Sequence, residues 1–149
     1  MNKKLIASFI LSFGILLNAQ YIAKTEYDTK IILDTTTNIV WLDKDIGKKS
    51  FKDAISACDE INIGSYESWR VPSYNELISI INYEKSGLKV DDKFTEFKAD
   101  GYWTSTLSKR HYTDEIKRAW FIRLNTGLDG TSGLSDDYEM YTTCIHDVY

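Results

Sequence analysis

Ser68-Trp69-Arg70-Val71-Pro72-Ser73-Tyr74-Asn75-Glu76-Leu77 is the stretch from which the rest of the chain can be read. Ser73 and Glu76 stand in the Ser-x-x-Glu spacing of a capping box, in which each side chain satisfies the other residue's free backbone N–H. Pro72 is the only proline in the chain, and just ahead of the cap it interrupts no helical hydrogen bond. Tyr74, Leu77, Ile78 and Ile81 follow at helical spacing, so the pattern predicts a helix from Ser73 to near Tyr83 with one apolar face. Trp69 and Arg70 then lie in a dense segment between two helices. They read as a core indole and a paired guanidinium, or alternatively as a shelf for a carboxylate or sulfate.

Upstream, Ser50 opens an earlier helix, with Asp53 three residues on. Phe51, Ala54, Ile55, Cys58 and Ile61 share one face, and the helix ends around Asn62 to Gly64. Before it, Ile31 to Leu33 and Ile39 to Leu42 flank Asp34 to Asn38, the pattern of a β-hairpin, with Trp41 turned inward. Downstream, residues 84–101 are polar and irregular, with Phe94 and Phe97 as anchors onto the core. Tyr102 to Thr106 and Ala119 to Leu124 read as strands. Asn125 to Glu139, with Gly127, Gly130 and Gly133, reads as a long loop, and Met140 to His146 as a terminal strand carrying Cys144. The expected fold class is α+β, two helices packed on small antiparallel sheets.

The N-terminus points to export. Lys3 and Lys4 precede an apolar run from Leu5 to Leu17, and Ala19 offers a small residue at a cleavage point. This is the layout of a secretory signal over residues 1–19, leaving a single domain over 20–149. The run is short of the ~20 apolar residues of a membrane span; the alternative is an uncleaved N-terminal anchor. Export implies a periplasmic or extracellular protein, with no membrane span after cleavage. In an oxidising compartment the two cysteines, Cys58 and Cys144, read as a disulfide, the alternative being a reactive thiol. The formal net charge of −4 argues against nucleic acid, which asks for a basic face.

The succession Thr37-Asn38-Ile39-Val40-Trp41-Leu42-Asp43, Phe51 to Cys58, Trp69-Arg70-Val71-Pro72-Ser73, Glu76-Leu77, Tyr102-Trp103-Thr104-Ser105 and Ala119-Trp120 resembles the Lcl C-terminal domain family. The likeness covers about Thr36 to Ile145. It implies a C-type-lectin-like fold in an exported bacterial protein, and the family's named member binds sulfated polysaccharide as part of an adhesin. This chain has no collagen-like Gly-X-Y stalk, and its net negative charge runs against a sulfated polymer.

Within that frame Trp41, Trp69, Arg70, Pro72, Trp103 and Trp120 are expected to be structural, the alternative for Trp103 and Trp120 being an exposed aromatic face for a sugar. In C-type lectins the ligand site lies in the long loop region before the last strands. The ligand-binding candidates are therefore Asn125, Asp129, Asp136 and Asp137. A basic-aromatic cluster, Arg110, His111 and Tyr112, joins them and could meet an acidic glycan or a protein partner. Asp129, Asp136, Asp137 and Glu139 supply oxygens of the kind calcium takes, although their spacing matches no EF-hand and the calcium-lectin motifs Glu-Pro-Asn, Gln-Pro-Asp and Trp-Asn-Asp are absent. No cofactor is expected beyond that possibility.

Catalysis is not expected. His111 and His146 are far apart in sequence, and formylglycine-generating enzymes, which share the broader fold, depend on active-site cysteines. The expected function is a noncatalytic binding domain for a glycan or surface polymer, the alternative being a protein–protein or structural subunit of the envelope.

Overall fold

The computed structural model describes residues 20–44, 46–109 and 118–149. The expected secretory signal, residues 1–19, therefore lies outside the described residues.

The hairpin forms where its sequence places it. β2 (Thr29–Asp34) pairs with β3 (Ile39–Leu42), Asp34 opposite Ile39 and Ile31 opposite Leu42. The turn between them is closed by Asp34, whose buried carboxylate accepts from Thr36 N–H at 2.9 Å. Asn38 takes a left-handed φ of 56°, which asparagine tolerates better than most residues. A further strand, β1 (Tyr21–Glu26), pairs antiparallel with β2 through a two-residue turn in which Tyr27 and Asp28 both have positive φ. Its sequence gave no strand signal, because only Tyr21 is buried and backbone pairing with β2 holds the rest.

β3 is buried along its whole length. Ile39 and Trp41 enter one apolar cluster with Leu77, Phe94, Tyr102 and Ile122, while Val40 and Leu42 enter another with Cys58, Trp69, Trp103 and Phe121. The same division recurs at Tyr102 and Trp103, and at Phe121 and Ile122. Alternate residues thus serve opposite faces, so these segments read as continuous apolar runs rather than as alternating ones. Phe94 and Phe97 are both buried, as expected of anchors.

β4 (Lys48–Lys49) leads into α1 (Phe51–Asp59), whose N-cap Ser50 accepts from Asp53 N–H at 3.2 Å. The helix stops at Asp59, short of Ile61, and turns Ala54 and Cys58 into the second cluster. Cys58 is bonded to Cys144, with their Cα atoms 5.5 Å apart. α2 (Tyr74–Ser79) has the full capping box of Ser73 and Glu76. It ends before Ile80 rather than near Tyr83. Asn82 N–H has gone to Lys89 O at 2.8 Å, and the Tyr83 hydroxyl donates to Gly127 O at 3.2 Å. Contacts with residues further along the chain, near and distant, thus take the place of the helix that the local pattern would have continued.

After α2 come β5 (Gly101–Ser108), β6 (Arg118–Arg123), β7 (Asp129–Gly133), β8 (Met140–Tyr141) and β9 (Ile145–Asp147). One sheet has the order β1-β2-β3-β9 and the other β4-β8-β5-β6-β7. Three sequence expectations need correction. Residues 125–139 are not one loop, because β7 lies inside them and pairs antiparallel with β6. Gly130 and Gly133 are strand glycines on which aromatic rings lie: a Cβ on Gly130 would come 2.7 Å from the Phe121 ring, and one on Gly133 2.9 Å from Tyr138. The expected terminal strand is divided between the two sheets, and Cys144 sits just before β9 rather than in a strand. The pairing is also not wholly antiparallel, since β5 and β8 run parallel where Tyr102 meets Tyr141.

At the end of β3 the Asp43 carboxylate is buried. It accepts from Thr95 N–H, Thr95 Oγ1 and Glu96 N–H, each at 3.0 Å, and pairs with Lys30 at 2.9 Å. This pins the irregular 84–101 segment onto the sheet. A buried charge is tolerated only when it is supplied with partners in this way.

Candidate functional site

Pro72 fixes how the first turn of α2 meets the second sheet. Its carbonyl accepts from Ser105 N–H at 2.8 Å, and Tyr74 N–H donates to Thr106 Oγ1 at 2.9 Å. The β5–β6 register shifts between Trp103 and Leu107, and Thr104 Oγ1 donates to Trp120 O at 2.9 Å across the irregularity. These contacts leave Trp120 beside the helix's first turn, half-buried.

Trp120 differs here from the other three tryptophans. Trp41, Trp69 and Trp103 are buried; Trp69 Nε1 donates to Tyr66 O and Trp103 Nε1 to Lys49 O, each at 2.9 Å. Arg70 is likewise committed to the protein. It donates to both oxygens of Glu76 (2.9 and 2.7 Å) and to both oxygens of Asp147 (2.9 and 2.7 Å). Hydrogen bonding to these carboxylates raises the guanidinium's pKa, and Arg70 in turn holds Glu76 down to about 2. Of the two readings of the Trp69-Arg70 segment, the geometry fits the structural one.

Trp120 lines an open groove with Ser73, Tyr74, Asn75, Thr106 and Asp129, of about 280 Å³. The Tyr74 and Trp120 rings meet edge to face, centroids 5.6 Å apart and planes at 71°. The Tyr74 hydroxyl donates to Asp129 Oδ2 at 2.5 Å, and this bond to a carboxylate raises the tyrosine's pKa. The groove therefore combines aromatic surface with hydroxyl, amide and carboxylate oxygens. Such a lining can stack on an apolar ring face while hydrogen-bonding the polar edge of the same ligand.

Of the ligand-binding candidates read from sequence, Asp129 lines this groove, beside Trp120, which was expected to be structural. Asn125 is exposed in the turn after β6, and Asp136, Asp137 and Glu139 are exposed between β7 and β8. Among the described residues no group of three or more His, Cys, Asp and Glu side chains is placed to hold a metal ion, so the calcium candidates are not gathered into one site. Arg110, His111 and Tyr112 lie outside the described residues. Arg118, at the start of β6, donates to Thr131 Oγ1 at 2.9 Å and to Thr131 O at 2.6 Å.

Sequence reasoning missed Ser73, Tyr74, Asn75 and Thr106. Tyr74 fits the helical stripe and so reads as core, but on the first turn it lies at the edge of the sheet where that stripe reaches the surface. The capping box was the one signal near the site, and it locates the turn without showing what faces it.

Among the described residues no helix is long and apolar enough to cross a membrane. Compared with curated proteins, the chain matches none. The model of the family described as Lcl C-terminal domain matches residues 30–146, and the chain belongs to that family.

Proposed function

We propose that this chain is an exported, noncatalytic domain of C-type-lectin-like fold that binds a glycan or surface polymer at the Trp120–Tyr74–Asp129 groove. The observation that carries the reading is the half-buried indole of Trp120, set edge to face with Tyr74 and bordered by a carboxylate. The fold assignment is supported by the pairing of the last strand beside the N-terminal hairpin and by the disulfide joining α1 to the residue before that strand. Export to the periplasm or cell exterior is supported by the Lys3-Lys4 and Leu5-to-Leu17 pattern and by the disulfide, which belongs in an oxidising compartment.

The noncatalytic reading rests on how the reactive side chains are used. Both cysteines are consumed by the disulfide, and His146 packs against Tyr66 and Trp69. On this reading the ligand is held by the groove's own aromatic and polar side chains, without a metal ion.

The test is a broad polysaccharide array probed with the oxidised protein beginning at Gln20, with calcium and then with EDTA. We expect selective binding, unchanged by EDTA and lost in Trp120→Ala. Binding that disappears in EDTA would return the acidic residues after β7 to the centre of the site. Silence across the array would favour the second reading, an envelope protein partner, to be sought by crosslinking in the native cell.

A further inference from the structure

The groove's electrostatics narrow its ligand, an inference that rests on the glycan reading above. We infer that the site takes a non-anionic pyranoside and disfavours sulfated or carboxylated sugars. Among the side chains lining the groove, Asp129 carries the charge, while Ser73, Tyr74, Asn75, Thr106 and Trp120 are neutral. Asp129 Oδ2 accepts from the Tyr74 hydroxyl, and among the described residues no partner takes its other oxygen, which can accept from a ligand. With its proton given to Asp129, the Tyr74 oxygen can act toward a ligand only as an acceptor.

Asp129 and the Tyr74 oxygen can accept from the hydroxyl groups of a sugar, while the Ser73 and Thr106 hydroxyls and the Asn75 amide can donate as well as accept, so the charge of Asp129 is what separates one ligand from another. A sulfate or carboxylate offers only acceptors and brings like charge against Asp129. The nearest described cation along β6, Arg118, is two residues before Trp120 and directs its guanidinium at Thr131. The chain's net charge of −4 adds no attraction for a polyanion. Aromatic stacking on the apolar face of a pyranose is indifferent to charge, so the discrimination falls to Asp129.

Matched pairs test this directly: dextran against dextran sulfate, and laminarin against its sulfated derivative, each titrated onto the oxidised protein. The neutral member should bind in a Trp120-dependent way, and its sulfated partner at least roughly tenfold more weakly at low salt, a difference of about 1.4 kcal/mol. Asp129→Asn keeps the side chain's shape at an exposed position, so it should fold normally and reduce that ratio to less than about threefold. A sulfated polymer binding as tightly as its neutral partner, through Trp120, would overturn this inference and leave the glycan reading standing. If no member of either pair bound, both would fall together.

Discussion

The first turn of α2 is held from two directions by the same kind of chemistry, carried to different degrees of completion. On one side Arg70 spends its fork on both oxygens of Glu76 and both oxygens of Asp147, tying the helix to β9. On the other side Asp129 takes one hydrogen bond from Tyr74, beside an indole that is only partly buried. A charged group whose partners all come from the protein reports on the fold. One whose hydrogen-bonding capacity is half used, next to exposed aromatic surface, has something left for a ligand. Motif and residue type do not distinguish the two cases, since each is an aromatic residue beside a charge.

The comparison can be broken most forcefully at the disulfide, which belongs to the closed side. Replacing Cys58 and Cys144 with Ser frees a sequence separation of 86 residues, and on the chain-entropy model costs about 4–5 kcal/mol. Chemical denaturation should show the loss. Under conditions where the variant stays folded, its glycan affinity should be unchanged, because no cysteine lines the groove. An equal loss of affinity would mean that the two regions are coupled.

Arg70→Ala comes next. It strands two partly exposed carboxylates, and screening by solvent brings the expected cost to about 2–3 kcal/mol. Its pH dependence is distinctive. Arg70 depresses Glu76 from its ordinary 4.5 to about 2, so ionised Glu76 stabilises the fold. That contribution is complete above 4.5 and disappears as pH falls through about 2. The stability gap between wild type and Arg70→Ala should therefore be level near neutrality and shrink from pH 4.5 downward. A gap that persists unchanged at pH 2 would show that packing, not charge, makes Arg70 structural.

The smallest effect is expected on the open side. Tyr74→Phe removes the hydroxyl bond to Asp129 and should lower stability by less than about 1 kcal/mol, because both groups can turn to water. It should nevertheless weaken glycan binding, as Asp129 loses the partner that fixes its orientation. A large stability loss with unaltered binding would place this pair with Arg70 and remove the distinction between the two sides.

How much of this was legible in the sequence follows from the range of the signals. The capping box at Ser73 and Glu76, the Ser50 cap and the Asp34 to Asn38 turn are formed by residues within a few positions of each other, and each appeared where expected. The continuous apolar run of β3 announced burial without saying on which face. Asp43 gave no local warning of its role, because its partners Thr95 and Glu96 lie far along the chain. Of the groove, Asp129 was singled out for its oxygens, whereas Trp120 was expected in the core and Tyr74 in the helical stripe.

The sequence by itself determined the helix starts, the hairpin, the buried runs and the presence of two cysteines able to pair, since propensity and periodicity act between near neighbours. Tertiary structure decided the existence of β1 and β7, the division of the last strand between two sheets and the early end of α2. Each of these depends on a backbone or ring partner from elsewhere in the chain. It also decided which aromatic residue stayed at the surface: Trp120 is left half-buried because the first turn of α2 covers one side of it and leaves the other to solvent.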